Sequence, residues 1–310
     1  MRCVQFSVER PMKILLLGKN GQVGWELQRS LSPLGELIAL DSRSSDFCGD
    51  LENTAGLVDS LQLIKPDVIV NAAAYTAVDK AEGEQDKVFR INAQAVSVLA
   101  EQAARLDALL VHYSSDYVFG GAGAHYQQES EAVAPLNCYG ASKAAGELAI
   151  LQAGCRFLTF RSSWVHSAHG QNFTKTILRL AQERENLSVI NDQFGAPTGA
   201  DLLADVTAHA ILAVGRRAEL AGLYHLVAQG ETTWCDYARF VLEQARSAGL
   251  VLKVQPEDVR AIATSDYPTP ARRPGNSRLS TAKLRSAFEL NVPFWKDGVA
   301  RTVAEIFERR

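Results

Sequence analysis

A tyrosine and a lysine four residues apart, Tyr139 and Lys143, are the side chains of this 310-residue chain best suited to proton transfer. Residues at this spacing lie on one face of a helix, where an ammonium group can lower the pKa of a neighbouring phenol. Such a phenol can donate a proton to a carbonyl oxygen while a hydride reaches the carbonyl carbon. Ser115, at the end of a predicted strand, can hydrogen-bond the same oxygen. These three side chains predict a carbonyl reductase.

A glycine-rich turn near the start of the chain predicts where the hydride donor binds. The run GKNGQVG at residues 18–24 follows a short apolar strand pattern and precedes a helical one. Gly18 and Gly21 allow a tight turn and a close approach of the backbone to a pyrophosphate. Asp41 ends the second predicted strand, where a carboxylate can accept hydrogen bonds from an adenosine ribose. Asp41 favours NADH, because its carboxylate would repel the 2′-phosphate of NADPH. Arg43, two residues later, could reduce that repulsion, so NADPH stays open as an alternative.

Strand and helix patterns alternate through the first half of the chain. Short apolar runs predict strands at residues 14–17, 37–40, 68–70, 109–111 and 157–160. One long helix is expected before the fourth strand, because apolar residues recur at helical spacing from Val88 to Ala103. Near-continuous apolar strands separated by helices predict an α/β fold with a doubly wound, parallel sheet of the Rossmann type. Ligands of such sheets bind at the carboxyl ends of the strands.

The alternation weakens in the second half, which suggests a division into two parts. We expect residues 12–162 to form a dinucleotide-binding Rossmann domain and residues 163–310 to form mainly a smaller substrate-binding lobe. Parts of residues 199–228 are expected to return to the first domain. Residues 1–11 are polar and charged, and a disordered N-terminal extension is expected there.

Composition excludes several classes of function. The net charge is -3 with both signs interspersed, which argues against a nucleic acid or an anionic membrane as the partner. No apolar stretch approaches the length of a membrane span. The five cysteines form no CxxC pair and predict reduced thiols in a cytoplasmic protein. His112 lies in an apolar strand and is expected to be a hydrogen-bonded core residue.

With these motifs the chain resembles the dTDP-4-dehydrorhamnose reductase family of the extended short-chain dehydrogenase/reductases. The matching runs lie at residues 18–24, 71–82, 114–119, 139–143, 161–165, 190–198 and 267–274. The resemblance implies NAD(P)H-dependent reduction of the C4 keto group of dTDP-4-dehydro-L-rhamnose to dTDP-L-rhamnose. It also implies that Tyr139 donates the proton, assisted by Lys143 and Ser115.

The resemblance also assigns binding residues. Together with Gly18 of the glycine turn, the implied cofactor contacts are Gly21, Gln22, Val23, Asp41, Asp50, Leu51, Ala74, Tyr75, Thr76, Tyr139 and Lys143. The implied substrate contacts are Ser115, Asp116 and Trp164, and Trp164 is equally well explained by core packing. Arg272 and Arg273, in a proline-rich loop, are suitable donors to a nucleotide diphosphate.

Metal binding and assembly stay open at this point. Some members of the family bind Mg²⁺ between subunits through acidic residues, so a homodimer with an interfacial ion is one expectation. Glu26, Asp201 and Glu305 are the candidates, although solvated acids on helices explain them better. The histidines show no metal-ligand spacing.

Two other functions remain as alternatives. A related nucleotide-sugar dehydratase or epimerase would share the fold, but dehydratases follow the Ser/Thr with an Asp-Glu pair. Here Ser115 is followed by Asp116 and Tyr117, so the second carboxylate is missing. A non-catalytic, NADP-binding regulatory subunit is the alternative from another class, and the intact Ser115, Tyr139 and Lys143 set argues against it.

Overall fold

A six-stranded parallel sheet forms the centre of the molecule in a computed structural model that describes residues 11–308. Its strands in chain order are β1 (Met12–Leu17), β2 (Gly35–Leu40), β3 (Val68–Asn71), β4 (Leu109–Ser115), β5 (Arg156–Ser162) and β6 (Gly222–His225). Their order in space is β6-β5-β4-β3-β1-β2. All five predicted strands are present, and the predicted doubly wound α/β fold is confirmed. The expected extension at residues 1–11 lies, apart from Pro11, outside the described residues.

Helices cover both faces of the sheet. The α-helices are α1 (Gln22–Leu31), α2 (Thr54–Ile64), α3 (Val78–Ala81), α4 (Gln85–Phe89), α5 (Ala95–Leu106), α6 (Cys138–Ala153), α7 (Phe173–Glu183), α8 (Ala200–Arg216), α9 (Trp234–Ser247), α10 (Ala282–Phe288) and α11 (Trp295–Glu308). Successive residues of β1 point to opposite faces. Ile14 and Leu16 pack with α1 and α8, whereas Leu15 and Leu17 pack with α2 and α5. This alternation explains why residues 14–17 of the strand are all apolar.

The helical run before β4 differs from the single long helix expected from the sequence. A π-helical segment, Arg90–Gln94, separates α4 from α5. Its buried Asn92 accepts a hydrogen bond from the Tyr75 amide (2.9 Å) and donates to the Ser142 hydroxyl (3.0 Å). The wider π turn carries this polar side chain between the segment after β3 and helix α6. An apolar periodicity does not reveal such a local change of pitch.

The second half of the chain contributes both to the central sheet and to a separate lobe. The strand β6 pairs in parallel with β5, and α8 packs against α1 in the core of the sheet. Helices α7, α9 and α11 enclose a separate apolar core around Tyr237 and Trp295. Short strands join this lobe together, at Val165–His166, Ser188–Ile190, Phe194–Gly195, Thr198–Gly199, Thr232–Thr233 and Arg260–Ile262. Among residues 11–308, no helix combines the length and the apolar character that crossing a membrane requires.

Candidate active site

A cleft of about 860 Å³ opens at the carboxyl edge of the sheet. The glycine turn after β1, the ends of β3 and β4, the first turns of α6 and the segment after β5 line it. The lining includes all of the residues predicted to bind the cofactor: Gly18, Gly21, Gln22, Val23, Asp41, Asp50, Leu51, Ala74, Tyr75, Thr76, Tyr139 and Lys143. Ser115, Asp116 and Trp164 line the same cleft.

The glycine turn has the geometry of a phosphate cradle. Gly18 has a φ of +87°, and a Cβ there would lie 2.7 Å from the Ala73 nitrogen of the neighbouring strand end. A Cβ on Gly24 would collide with the Gly18 carbonyl. Gly21 is the N-cap of α1, and it supplies no side-chain cap to the helix amides. The first turn of α1 therefore presents backbone donors and a positive dipole end to the cleft, which suits a pyrophosphate.

Asp41 lies at the end of β2, where a nucleotide ribose would be expected. Its carboxylate accepts hydrogen bonds from the Arg43 amide (2.9 Å), the Ser44 hydroxyl (3.1 Å) and the Asn20 side chain. The Arg43 amide is the main reason why the pKa of Asp41 is lowered, although burial opposes it. A carboxylate that is ionised in this way can accept hydrogen bonds from ribose hydroxyls.

Helix α6 brings the predicted proton donor into the cleft. Asn137 caps the helix by accepting a hydrogen bond from the Gly140 amide (2.8 Å), which fixes Tyr139 in the first turn. Burial, and secondly the negative charge of Asp116, raise the pKa of Tyr139 to about 12. A hydrogen bond with Ser115 acts in the opposite direction. The phenol is thus protonated at neutral pH, as a proton donor must be, but its pKa is raised and not lowered as expected from Lys143, whose Nζ contacts His112 and the Tyr113 carbonyl.

Ser115 and Asp116 form a buried polar pair beneath that phenol. The Ser115 hydroxyl donates to Oδ1 of Asp116 (2.9 Å) and accepts from the Tyr117 amide (3.1 Å). Burial raises the pKa of Asp116 to about 6, although the nearby hydroxyl groups of Ser277 and Ser115 favour the carboxylate. The pair can present a hydroxyl, and at low pH also a neutral carboxyl group, to a polar ligand.

Lys143 is buried one turn beyond Tyr139. Its Nζ donates to the Tyr113 carbonyl (2.6 Å) and lies 3.2 Å from Nε2 of His112. Burial lowers the pKa of Lys143 to about 8, while the charge of Glu147 opposes that shift. The ammonium form therefore predominates at neutral pH and gives way to the neutral amine as the pH rises through about 8.

Trp164 combines the two roles that the sequence left open. It lines the cleft and also stacks on Trp234 of α9, with the ring centroids 3.7 Å apart. Its backbone adopts a left-handed conformation with a φ of 49°, which is uncommon for a large side chain. The indole consequently forms an aromatic wall of the cleft that is supported by the second lobe.

Arg272 and Arg273 lie outside the lining of the cleft. Arg272 is exposed, and its carbonyl accepts a hydrogen bond from Asn137. Arg273 forms a two-pronged ion pair with Asp79 of α3, with contacts of 3.0 Å and 2.7 Å. This pair ties the proline-rich loop to the segment after β3.

The three acids considered for Mg²⁺ are held by arginines. Arg301 pairs with Asp201 (3.3 Å) and Glu305 (3.0 Å), and Arg29 pairs with Glu26 (3.6 Å). Burial, followed by the charge of Asp201, raises the pKa of Glu26. Within the part of the chain that the structure describes, no group of three or more metal-ligating side chains is arranged to hold an ion.

Several further lining residues were assigned no role from the sequence, although some of them lie within its matching runs. They are Asn20, Ser42, Lys87, Tyr113, Tyr117, Ser162, Ser163, Gly170, Gln171 and Trp234. Gly170 and Trp234 come from the second lobe, and their place in the cleft depends on how that lobe packs. His112, expected as a hydrogen-bonded core residue, is buried and lies within hydrogen-bond distance of Asn71 and Lys143.

Comparison with known proteins places this cleft in a family. The RmlD substrate binding domain model matches residues 12–307. The dTDP-4-dehydrorhamnose reductase of Salmonella typhimurium is 56% identical over 297 residues, which cover 96% of this chain and 98% of that protein. The enzyme of the same name from Escherichia coli K12 is 55% identical over 296 residues, again 96% and 98% of the two chains.

Solved structures agree with these matches. A dTDP-4-dehydrorhamnose reductase from Clostridium acetobutylicum superposes with a TM-score of 0.86 at 31% identity, covering 96% of this chain and 100% of that one. One from Bacillus anthracis in complex with NADP gives a TM-score of 0.84 at 32% identity, covering 95% and 99%. The chain belongs to the dTDP-4-dehydrorhamnose reductase family.

Proposed function

We propose that this protein reduces the C4 keto group of dTDP-4-dehydro-L-rhamnose with NADH or NADPH and forms dTDP-L-rhamnose. The observation that carries the proposal is the convergence of Tyr139, Ser115 and Lys143 with the glycine cradle in a single cleft. The choice of substrate is supported by the relatives from Salmonella typhimurium and Escherichia coli K12. Both are more than half identical to this chain and are dTDP-4-dehydrorhamnose reductases.

The site residues divide the work of the reduction. A bound NAD(P)H would supply the hydride, and the glycine turn with Asp41 would hold its pyrophosphate and ribose. Tyr139 gives its phenolic proton to the carbonyl oxygen as the negative charge develops there. Ser115 hydrogen-bonds the same oxygen and orients it, and Lys143 would hold the nicotinamide ribose of the bound cofactor beside Tyr139.

The nucleotide sugar would enter from the side of the second lobe. Trp164, supported by Trp234, offers a flat apolar wall to the sugar or to thymine. Asp116 stands next to Ser115 and can hydrogen-bond a sugar hydroxyl. Arg273 would bind the diphosphate by exchanging part of its contact with Asp79, whereas the exposed guanidinium of Arg272 needs no such exchange.

Location and assembly are further parts of the proposal. The family resemblance supports a cytoplasmic enzyme that forms a homodimer. Sedimentation velocity at micromolar concentration measures the assembly directly, and a monomer at all concentrations would contradict the homodimer.

The experiment that tests the proposed reaction follows the loss of reduced nicotinamide absorbance. The keto sugar is generated in place from dTDP-glucose by the upstream dehydratase and epimerase, and NADH and NADPH are compared. Oxidation that needs both upstream enzymes is the expected result. Oxidation without the epimerase would indicate another keto sugar, and tight cofactor binding without turnover would favour a regulatory subunit.

A further inference from the structure

Three polar side chains lie in a row across the middle of the sheet, beneath the catalytic helix. The parallel register places Asn71 of β3 beside His112 of β4, and His112 beside Thr159 of β5. All three are buried, with exposed fractions of about 1%. Lys143 reaches down from α6 to His112. A polar row in an otherwise apolar sheet calls for a reason.

The hydrogen bonds of this row determine which ring nitrogen of His112 carries the proton. The Ala73 amide donates to Oδ1 of Asn71 (3.2 Å), so the Nδ2 group of Asn71 turns toward His112. That amide nitrogen is a donor and lies 3.2 Å from Nδ1 of the ring, so Nδ1 must accept. Burial and the nearby Lys143 hold the pKa of His112 well below its ordinary value, which keeps the ring neutral. The single proton of the ring is therefore on Nε2.

This tautomer has a consequence for Lys143. The Nε2–H group of His112 faces Nζ at 3.2 Å, and Nζ donates to the Tyr113 carbonyl at 2.6 Å. An ammonium group has donors alone, whereas a neutral amine has one lone pair that can accept. If Lys143 is an ammonium group, its N–H and the Nε2–H of His112 are two donors that face each other without an acceptor. This contact disfavours the ammonium form of Lys143.

Few other charges act on this nitrogen. From its own helix, Glu147 faces Lys143, and its carboxylate is paired with Arg161 of β5 at 2.9 Å and 2.7 Å. From the sheet, Thr159 and Asn71 contribute only neutral groups. Burial and the charge of Glu147 therefore act on Nζ together with the direction of its hydrogen bond with His112.

We propose that His112 is a positioning residue for Lys143: its Nε2–H, fixed by Asn71, holds Nζ against the Tyr113 carbonyl and weakens the affinity of Nζ for a proton. The functional part rests on the proposed reaction, in which Lys143 assists Tyr139. The tautomer itself is a property of the folded chain and does not depend on turnover.

The first test reads the tautomer without any activity. Long-range ¹⁵N–¹H correlation spectra of the uniformly ¹⁵N-labelled protein distinguish a protonated from an unprotonated ring nitrogen, and His112→Phe identifies the signals of His112. We expect protonated Nε2 and unprotonated Nδ1 at neutral pH. The opposite tautomer, or a doubly protonated ring, would overturn the proposal even if the enzyme is fully active.

The second test measures the effect on the reaction. His112→Phe removes the ring N–H that faces Nζ and keeps a planar ring of similar size, so no donor opposes the ammonium group. The ammonium form should gain stability, and the basic limb of the kcat–pH profile should move upward by about one pH unit. An unchanged limb, with the fold intact by circular dichroism, would contradict the proposal.

Thr159→Val provides the matched control. It removes a buried hydroxyl from the other side of His112 at nearly constant volume, and this hydroxyl has no hydrogen-bond partner within the described residues. The pH profile and the His112 tautomer should stay as in the wild type. A shift equal to that of His112→Phe would show that any change in this row of the sheet moves the limb, and would refute the specific role of His112.

Discussion

Helix α6 carries two buried charged residues one turn apart, and their surroundings differ. Lys143, on the cleft side, contacts the Tyr113 carbonyl and the neutral ring of His112. Glu147, behind it, forms a two-pronged ion pair with Arg161 whose side chains are 6% and 5% exposed. Burial lowers the pKa of Lys143 to about 8. The positive charge of Lys143 therefore has no carboxylate in direct contact, whereas the negative charge of Glu147 is paired with Arg161.

This difference distinguishes a residue used in the reaction from an ion pair that stabilises the fold. A buried ionisable group without an opposite charge reduces stability and is retained where its proton is used. A buried, well-bonded pair holds two elements together, here α6 and β5, although an apolar pair could replace it. Variants near Lys143 should therefore change rates, and variants near Glu147 should change stability.

The largest effect is expected at the proton donor. Tyr139→Phe should lower kcat by about 10²–10⁴-fold, because the carbonyl oxygen loses its proton source. Cofactor affinity, measured by fluorescence titration of NADPH, should change little. Full activity of the variant would remove Tyr139 from the proposed role.

The paired region should respond in stability instead. Glu147→Ala leaves the buried Arg161 without a counter-charge and should lower the free energy of unfolding by about 3–5 kcal/mol. Urea unfolding at neutral pH measures this loss. The double variant Glu147→Leu/Arg161→Met is the control and should recover most of the stability. A single variant as stable as the wild type would contradict the comparison.

The carboxyl group of Asp116 should add a pH dependence to stability. Its pKa in the fold is raised from 3.8 to about 6, so its contribution is fully present below pH 4 and is lost as the pH rises toward 6. The size of that loss is up to about 3 kcal/mol. Asp116→Asn has no carboxyl group at this position and should not show this loss. The difference in unfolding free energy between the wild type and Asp116→Asn should therefore change between pH 4 and pH 7. A constant difference would refute the raised pKa.

The smallest effect is expected at the Asp79–Arg273 pair. Arg273→Ala should raise KM for the nucleotide sugar by about tenfold and leave KM for the cofactor unchanged, because one charged hydrogen bond to the diphosphate is lost. The stability should fall by about 1 kcal/mol or less, since the side chains are 22% and 41% exposed. Asp79→Ala keeps the arginine and serves as the control, for which KM for the sugar should not rise. An equal increase in both variants would assign Arg273 to loop packing alone.

Local patterns were sufficient to predict the nucleotide-binding half of the fold. Residues 14–17 of β1 are apolar on both faces because helices cover both sides of the sheet, and that burial is visible in the sequence as a continuous run. A side chain at Gly18 or Gly24 would collide with backbone atoms, so these positions require glycine. That requirement is visible in the sequence as the glycine spacing. The π segment at Arg90–Gln94 was not predictable, since it depends on the partners of Asn92 on other elements.

The sequence by itself determined the parallel sheet, the cradle and the Tyr139–Lys143 spacing on α6, because continuous burial and short-range spacing are visible in the order of residue types. Only the tertiary structure decided that Arg273 pairs with Asp79, and that His112 lies between Asn71 and Lys143. These outcomes depend on how elements far apart in sequence pack together. The direction of a hydrogen bond, and with it the charge of a buried lysine, follows from that packing.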